Sequence, residues 1–138
     1  MGATKHEIYR KDVVKIAELL KAIAHPARLK AVLLIANSTD EDLTAKDIQK
    51  EIPLSQSTIA QHLKQLRDSG LVETQLRTID KVNHLCYRIN LQALNQIKKL
   101  IELLIKKSTI KQDDNVETLR NFYSKLQAIT NWNQSFES

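Results

Sequence analysis

The stretch "PLSQSTIAQHLKQLRDSG", Pro53–Gly70, decides how the rest of the chain is read. Leu54-Ser55-x-x-Thr58-Ile59 has the form of a helix start. Ser55 is placed to accept from a first-turn backbone N–H, and Leu54 and Ile59 fall at the two positions of a hydrophobic staple. At the other end Gly70 suits a left-handed C-terminal cap, with Leu71 just past it to make the accompanying apolar contact. Between these ends Ile59, Leu63 and Leu66 make one stripe. At roughly 100° per residue, Ser57, Thr58, Gln61, His62 and Gln65 fall within an arc of roughly 140° on the other side. A solvated helix face usually holds Glu and Lys. This face holds groups that both donate and accept hydrogen bonds, and Lys64 and Arg67 flank it.

The same start signal occurs once more just upstream. In Leu43-Thr44-x-x-Asp47-Ile48, Thr44 is the cap, Asp47 its reciprocal partner, and Leu43 and Ile48 the staple. Two short helices, beginning near residues 44 and 55 and joined by a tight turn containing Pro53, describe a helix-turn-helix. Downstream, "LVETQLRTI" and "HLCYRI" read as strands around the turn-forming "DKVN", Asp80 to Asn83; in the second, Leu85, Tyr87 and Ile89 alternate with His84, Cys86 and Arg88. A two-stranded hairpin behind a helix-turn-helix is a wing.

Outside this unit the pattern is helical. Val13, Ile16, Ala17, Leu20 and Ile23 form a first stripe, which stops at "AHPAR", where Pro26 ends one helix and suits the first turn of the next. The second helix, about 26 to 37, is apolar nearly all round with Leu29, Val32, Leu33 and Ala36, as expected of a central core helix; the polar "NSTDED" follows it. A long helix spans 91–107, and after the linker "STIKQDDN" a last one covers about 113–132, with Asp114 and Glu117 as a possible capping box. The expected fold is mostly α, a winged helix-turn-helix with a two-stranded β-wing and added N- and C-terminal helices, in one domain over 1–138.

Composition bounds the function. Only two glycines occur in 138 residues, where average usage of about 7% gives roughly ten, so a turn-rich β fold is not expected. The formal net charge of +5 favours an anionic partner, of which nucleic acid is the commonest. Cys86 is the only cysteine, so neither an intramolecular disulfide nor a cysteine-based zinc site forms within one chain. The longest apolar run, "AVLLIA", is far short of the roughly 20 residues that span a bilayer, and "MGATKHEIYRKD" lacks the apolar core of a secretory signal. A cytoplasmic protein without a membrane partner is expected.

A helix in the major groove presents its N-terminal residues to base edges. Gln pairs bidentately with adenine, Ser and Thr meet several base atoms, and a Thr methyl meets the thymine methyl. Flanking Lys64 serves phosphates, and Gln56, off the polar arc but in the first turn, can reach one. No Arg lies on the N-terminal part of the face, so a guanine-dominated half-site is not expected. A solvated helix rich in Gln and Ser is the plainer account of the segment alone. Its place in a basic winged helix-turn-helix favours base reading.

"AIAHPARLKAVLLI", "LTAKDIQKEIPLSQSTIAQHLKQLRDSGLVETQ" and "HLCYRIN" together resemble the ArsR family of winged-helix repressors, from about Leu20 to about Leu94. The most specific part is Leu54-Ser55-Gln56-Ser57-Thr58, Gln61-His62-Leu63, Leu66 and Gly70-Leu71-Val72. The resemblance implies a homodimer built by the first helix, 5–24, and the long helix, 91–107. It implies major-groove entry by the helix from Ser55 to Ser69, a wing near the DNA backbone, and repression at an imperfect palindrome in double-stranded DNA.

The chain departs from the family in two respects. Thr44 and Lys46 stand where many members carry a metal-binding Cys-x-Cys, and 91–107 contains neither Asp nor His. Metal sensing by either route, or any cofactor, is therefore not expected, and no inducer can be named. The wing tip has no Gly, though Arg77 and Lys81 remain in reach of phosphates. His84 and Cys86 point the same way on a strand but are two ligands, too few for a closed metal site, and read as packed or half-exposed wing residues. His25 reads as a helix-junction residue and the last helix as packing. A winged-helix protein-interaction module is the alternative function. An enzyme is not expected, because no nucleophile–base pair, carboxylate pair or phosphate-binding Gly loop is visible.

Overall fold

The structure, a computed structural model, describes residue 2 and residues 4–39, 43–108 and 116–130. The chain divides into two units, Met1–Lys99 and Leu100–Ser138. The first opens with a single turn, α1 (Lys5–Ile8), then α2 (Lys11–Ile23), α3 (Pro26–Asn37), α4 (Ala45–Glu51), α5 (Gln56–Asp68), β1 (Val72–Ile79) and β2 (Val82–Ile89). Helix α6 (Leu91–Lys107) runs from the first unit into the second, which also holds α7 (Val116–Thr130). Residues 113–115 and 131–132, and with them Asp114 of the expected cap, lie outside the described residues.

Local chemistry sets the boundaries. Pro26 opens α3, and the His25 side chain caps it, Nδ1 accepting from the Ala27 N–H at 3.1 Å. Thr44 and Asp47 complete the reciprocal box on α4: Asp47 accepts from the Thr44 N–H at 2.9 Å, and Thr44 Oγ1 from the Asp47 N–H at 3.3 Å. The hydrogen bond from Thr44 holds the Asp47 carboxyl below its usual range, against a smaller opposing effect of burial. Ser55 Oγ accepts from the Thr58 N–H at 3.2 Å, and α5 ends at Gly70 with φ +85, a left-handed value that suits Gly.

The core of the first unit lies where α2, α3, α4, α5 and the base of the hairpin meet. Leu19, Ile48, Leu63, Leu66, Leu71, Val72 and Cys86 are fully buried there. Asn90 ties the base together. Its N–H donates to Leu71 O and its side-chain amide to Gly70 O, both at 2.9 Å, while its Oδ1 accepts from Gln92 and Ala93 N–H at the start of α6.

In the helices and the wing turn, three sequence expectations change. On α2 the buried residues are Val14, Leu19 and Ala22, whereas Val13, Ala17 and Leu20 of the expected stripe are exposed. The helix is apolar on two sides, and periodicity finds the longer row without saying which side the core takes. On α3 the buried set is Ala31, Val32, Leu34 and Ile35, with Leu29 and Ala36 outside, since a helix apolar all round carries no directional signal. The wing turn is two residues, Asp80 and Lys81, not four: both take positive φ (51 and 68), and Val82 pairs directly with Ile79. Such mirror-image turns match the twist of the flanking strands, so pairing continues to the tip.

Strand β2 also departs from simple alternation: Cys86 and Tyr87 are both buried while Leu85 is exposed. The strand packs against α3 and α4, and its outer edge pairs with the segment leading into α4, where Thr44 bridges to Cys86 and the Tyr87 N–H donates to Leu43 O at 2.9 Å. Both of its faces are covered near the base. Cys86 is a packed residue whose thiol donates to the His84 carbonyl, with Sγ···O 3.8 Å.

Candidate nucleic-acid interface

The apolar stripe of α5, Ile59, Leu63 and Leu66, is buried, which fixes the helix's rotation and turns the opposite side to solvent. Gln61, Lys64 and Gln65 stand on that open side, with Ser57 one turn earlier, also exposed. The first-turn hydroxyls form a small network. Ser55 Oγ lies 2.8 Å from Thr58 Oγ1 and 3.2 Å from Ser57 Oγ, so Ser55 orients both neighbours as well as capping the helix. A hydroxyl has one donor and two acceptor sites, so Ser57 keeps capacity for a further partner. Thr58 is half-buried at the edge of the face.

The other expected contact residues are distributed around this face. Lys64 Nζ pairs with Asp68 at 2.8 Å, an exposed i,i+4 pair; the hydrogen bond from Lys64 keeps the Asp68 carboxyl low. Gln56 lies on the flank nearer the wing, lining a groove of about 570 Å³ together with Lys46, Gln49, Lys50, Asn83 and His84. Arg77 is half-buried on β1 opposite His84, and Lys81 projects at the exposed wing tip. His62 is placed differently from the rest. It is half-buried, its ring 4.6 Å from that of His25, and its Nδ1 lies 3.5 Å from the Arg28 guanidinium.

Lys46 and Lys50 are the residues that sequence reading passed over. Both are exposed on α4 and face the same groove as Gln56. Their i,i+4 spacing on a helix was visible in the sequence, but it is the packing of α4 on α5 that brings them beside Gln56, with the wing closing the groove. Among the described residues no group of three or more His, Cys, Asp and Glu is placed to hold a metal. No helix among them is long and apolar enough to cross a membrane.

A family model described as "Bacterial regulatory protein, arsR family" matches residues 25–74, which run from the cap of α3 to the start of β1. The chain is 33% identical over 76 residues to the biofilm growth-associated repressor of Xylella fastidiosa (strain 9a5c), covering 52% of this chain and 64% of that one, less than two-thirds of the repressor's length. It is 32% identical over 94 residues to the transcriptional activator HlyU of Vibrio cholerae, covering 68% of this chain and 78% of that protein. The solved structure of HlyU from Vibrio cholerae N16961 superposes with a TM-score of 0.51 at 31% identity, over 71% of this chain and 96% of that one. With its capped helix pair, open polar face and two-stranded wing, the chain belongs to the arsR family of bacterial regulatory proteins, which are winged-helix transcription regulators and not enzymes.

Proposed function

We propose that the chain is a homodimeric, sequence-specific DNA-binding repressor, acting in the cytoplasm on an imperfect palindrome. The observation that carries this reading is the open polar face of α5. Ser57, Gln61 and Gln65 project from a helix whose other side is locked into the core by Ile59, Leu63 and Leu66. In this reading those three meet base edges, while Ser55, Gln56 and Thr58 at the helix start meet backbone or base according to register. Lys64, Arg77 and Lys81 meet phosphates, which set affinity and register without reading sequence. Lys46 and Lys50 join them from the groove beside Gln56.

What supports the dimer is the set of large apolar side chains that α2 and α6 leave exposed among the described residues. On α2, Val13 and Leu20 are exposed; on α6, so are Leu94, Ile101, Leu104 and Ile105. Two reading heads then take two half-sites, and a bound dimer blocks a promoter that overlaps them. No inducing ligand is assigned.

Selection of bound duplexes from randomised DNA near physiological salt tests the proposal. An imperfect palindrome with adenine among its specified bases is expected. In the selected site Gln61→Ala should lose about 1–3 kcal/mol of discrimination at particular bases while binding random DNA as before. Equal loss on both would sink the base-reading assignment. No enriched motif would favour a protein-interaction module.

A further inference from the structure

His62, at the edge of the reading face, is engaged by the protein's own cations. Arg28 of α3 spans three elements: its Nε donates to Ala22 O at 2.6 Å, its Nη2 to Lys21 O at 3.4 Å, and its Nη1 reaches His62 Nδ1 at 3.5 Å. The two carbonyls belong to the last turn of α2, where helical C=O groups lack internal partners. The guanidinium therefore links the end of α2 to the reading helix. The His25 ring, 4.6 Å away and tilted 38° from that of His62, completes the cluster.

The hydrogen bonds dictate protonation. Arg has donors only, so His62 Nδ1 must present its lone pair and the ring's proton sits on Nε2. The His25 Nδ1 accepts from the Ala27 N–H to cap α3, which holds its ring beside that of His62. A second proton on the His62 ring would set a donor against a donor. It would also gather imidazolium and guanidinium cations in one partly buried spot.

We propose that Arg28 and His25 seat the reading helix through His62 only while the His62 ring is neutral, so that acidification loosens α5 and weakens DNA binding. His62 is then a positioning residue rather than a base reader. This inference rests on α5 being the helix that reads DNA.

The sign follows from the surroundings of His62. Burial, then His25, then Arg28 lower its pKa, and these two are the charges acting on the ring among the described residues: Arg28 from α3, His25 from the α2–α3 junction. The end of α2 contributes carbonyls, both held by Arg28. A histidine whose pKa is depressed in the seated state favours that state fully above its ordinary value of about 6.5 and loses this as pH falls below it. A histidine merely lying near DNA acts oppositely, since an added cation strengthens phosphate binding.

Binding of the full chain to its selected duplex, at fixed ionic strength between about pH 7.5 and about pH 5.5, separates the two senses. Affinity should fall severalfold toward the acid end. His62→Gln, neutral throughout, should flatten the profile. His25→Asn, which keeps a good helix cap, should make it shallower. Affinity that rises or stays level on acidification, or a His62→Gln variant that keeps the wild-type slope, would overturn the proposal. In the free protein, imidazole ¹⁵N shifts should show His62 as the Nε2–H tautomer with an accepting Nδ1, and the opposite tautomer would overturn it too. A chain that bound no duplex at any pH would refute the DNA reading itself, and the tautomer measurement would still decide whether the cluster is built as described.

Discussion

Ser55 holds a position where one oxygen does several jobs. It caps α5 through the Thr58 N–H and orients the hydroxyls of Ser57 and Thr58. Removing a Ser cap costs about 1 kcal/mol in typical cases. Ser55→Ala should therefore lower stability by about 1 kcal/mol in urea unfolding, with the slope of the transition unchanged. Gln61 should behave in the opposite way: it is exposed, so its truncation should leave stability within about 0.5 kcal/mol and act on sequence discrimination alone. The ion pairs call for restraint. Lys64–Asp68 and Arg88–Glu73 are both well exposed, and such pairs contribute little because solvent screens them.

Among the elements, the wing carries a visible conflict between local preference and required geometry. Its turn needs positive φ at both central residues and has Asp80 and Lys81 there. Asp tolerates the left-handed region better than Lys, for which it costs roughly 1–2 kcal/mol. Replacing the pair by Asn-Gly should stabilise the hairpin by about 1 kcal/mol, readable as slower amide exchange across Ile79 and Val82. The same change removes the tip cation. If Lys81 meets a phosphate, affinity should weaken on all sequences and the dependence of log affinity on log salt should become shallower by about 1. A tighter hairpin with an unchanged salt slope would take Lys81 off the DNA. At the other end of the wing, Asn90 joins Gly70, Leu71 and the start of α6, so the hairpin is fixed at its base and exposed at its tip.

For the whole molecule, the question is what covers the outward apolar rows. Val13 and Leu20 on α2 and Ile101, Leu104 and Ile105 on α6 are too many large apolar side chains to leave in water without consequence. Under the dimer proposal, Leu20→Glu or Ile101→Glu buries a charge in an apolar interface. Sedimentation should then find a monomer, and the protein should lose cooperative binding to a two-half-site duplex while retaining helical circular dichroism. A variant that stayed dimeric would move the interface elsewhere.

Much of this protein is written in short-range chemistry. The caps at Thr44 and Ser55, the left-handed Gly70 and the stripe Ile59, Leu63 and Leu66 are local signals, and the helix pair and the orientation of its polar face follow from them. A capping hydrogen bond spans three residues and a buried stripe repeats every three or four, so both survive in the sequence without knowledge of neighbours. What the tertiary structure decided concerns groups distant in the chain. Which side of α2 is buried depends on what α3 and α5 present to it. Cys86 is buried where β2 meets α3 and α4, and Lys46 and Lys50 join Gln56 because α4 packs on α5 with the wing closing the groove beside them. His62 shows the difference most plainly. By helical angle it belongs with Gln61 and Gln65, yet Arg28, 34 residues earlier, holds its ring at the protein's own junction. Periodicity assigns a residue to a side of a helix, and only packing says what waits on that side.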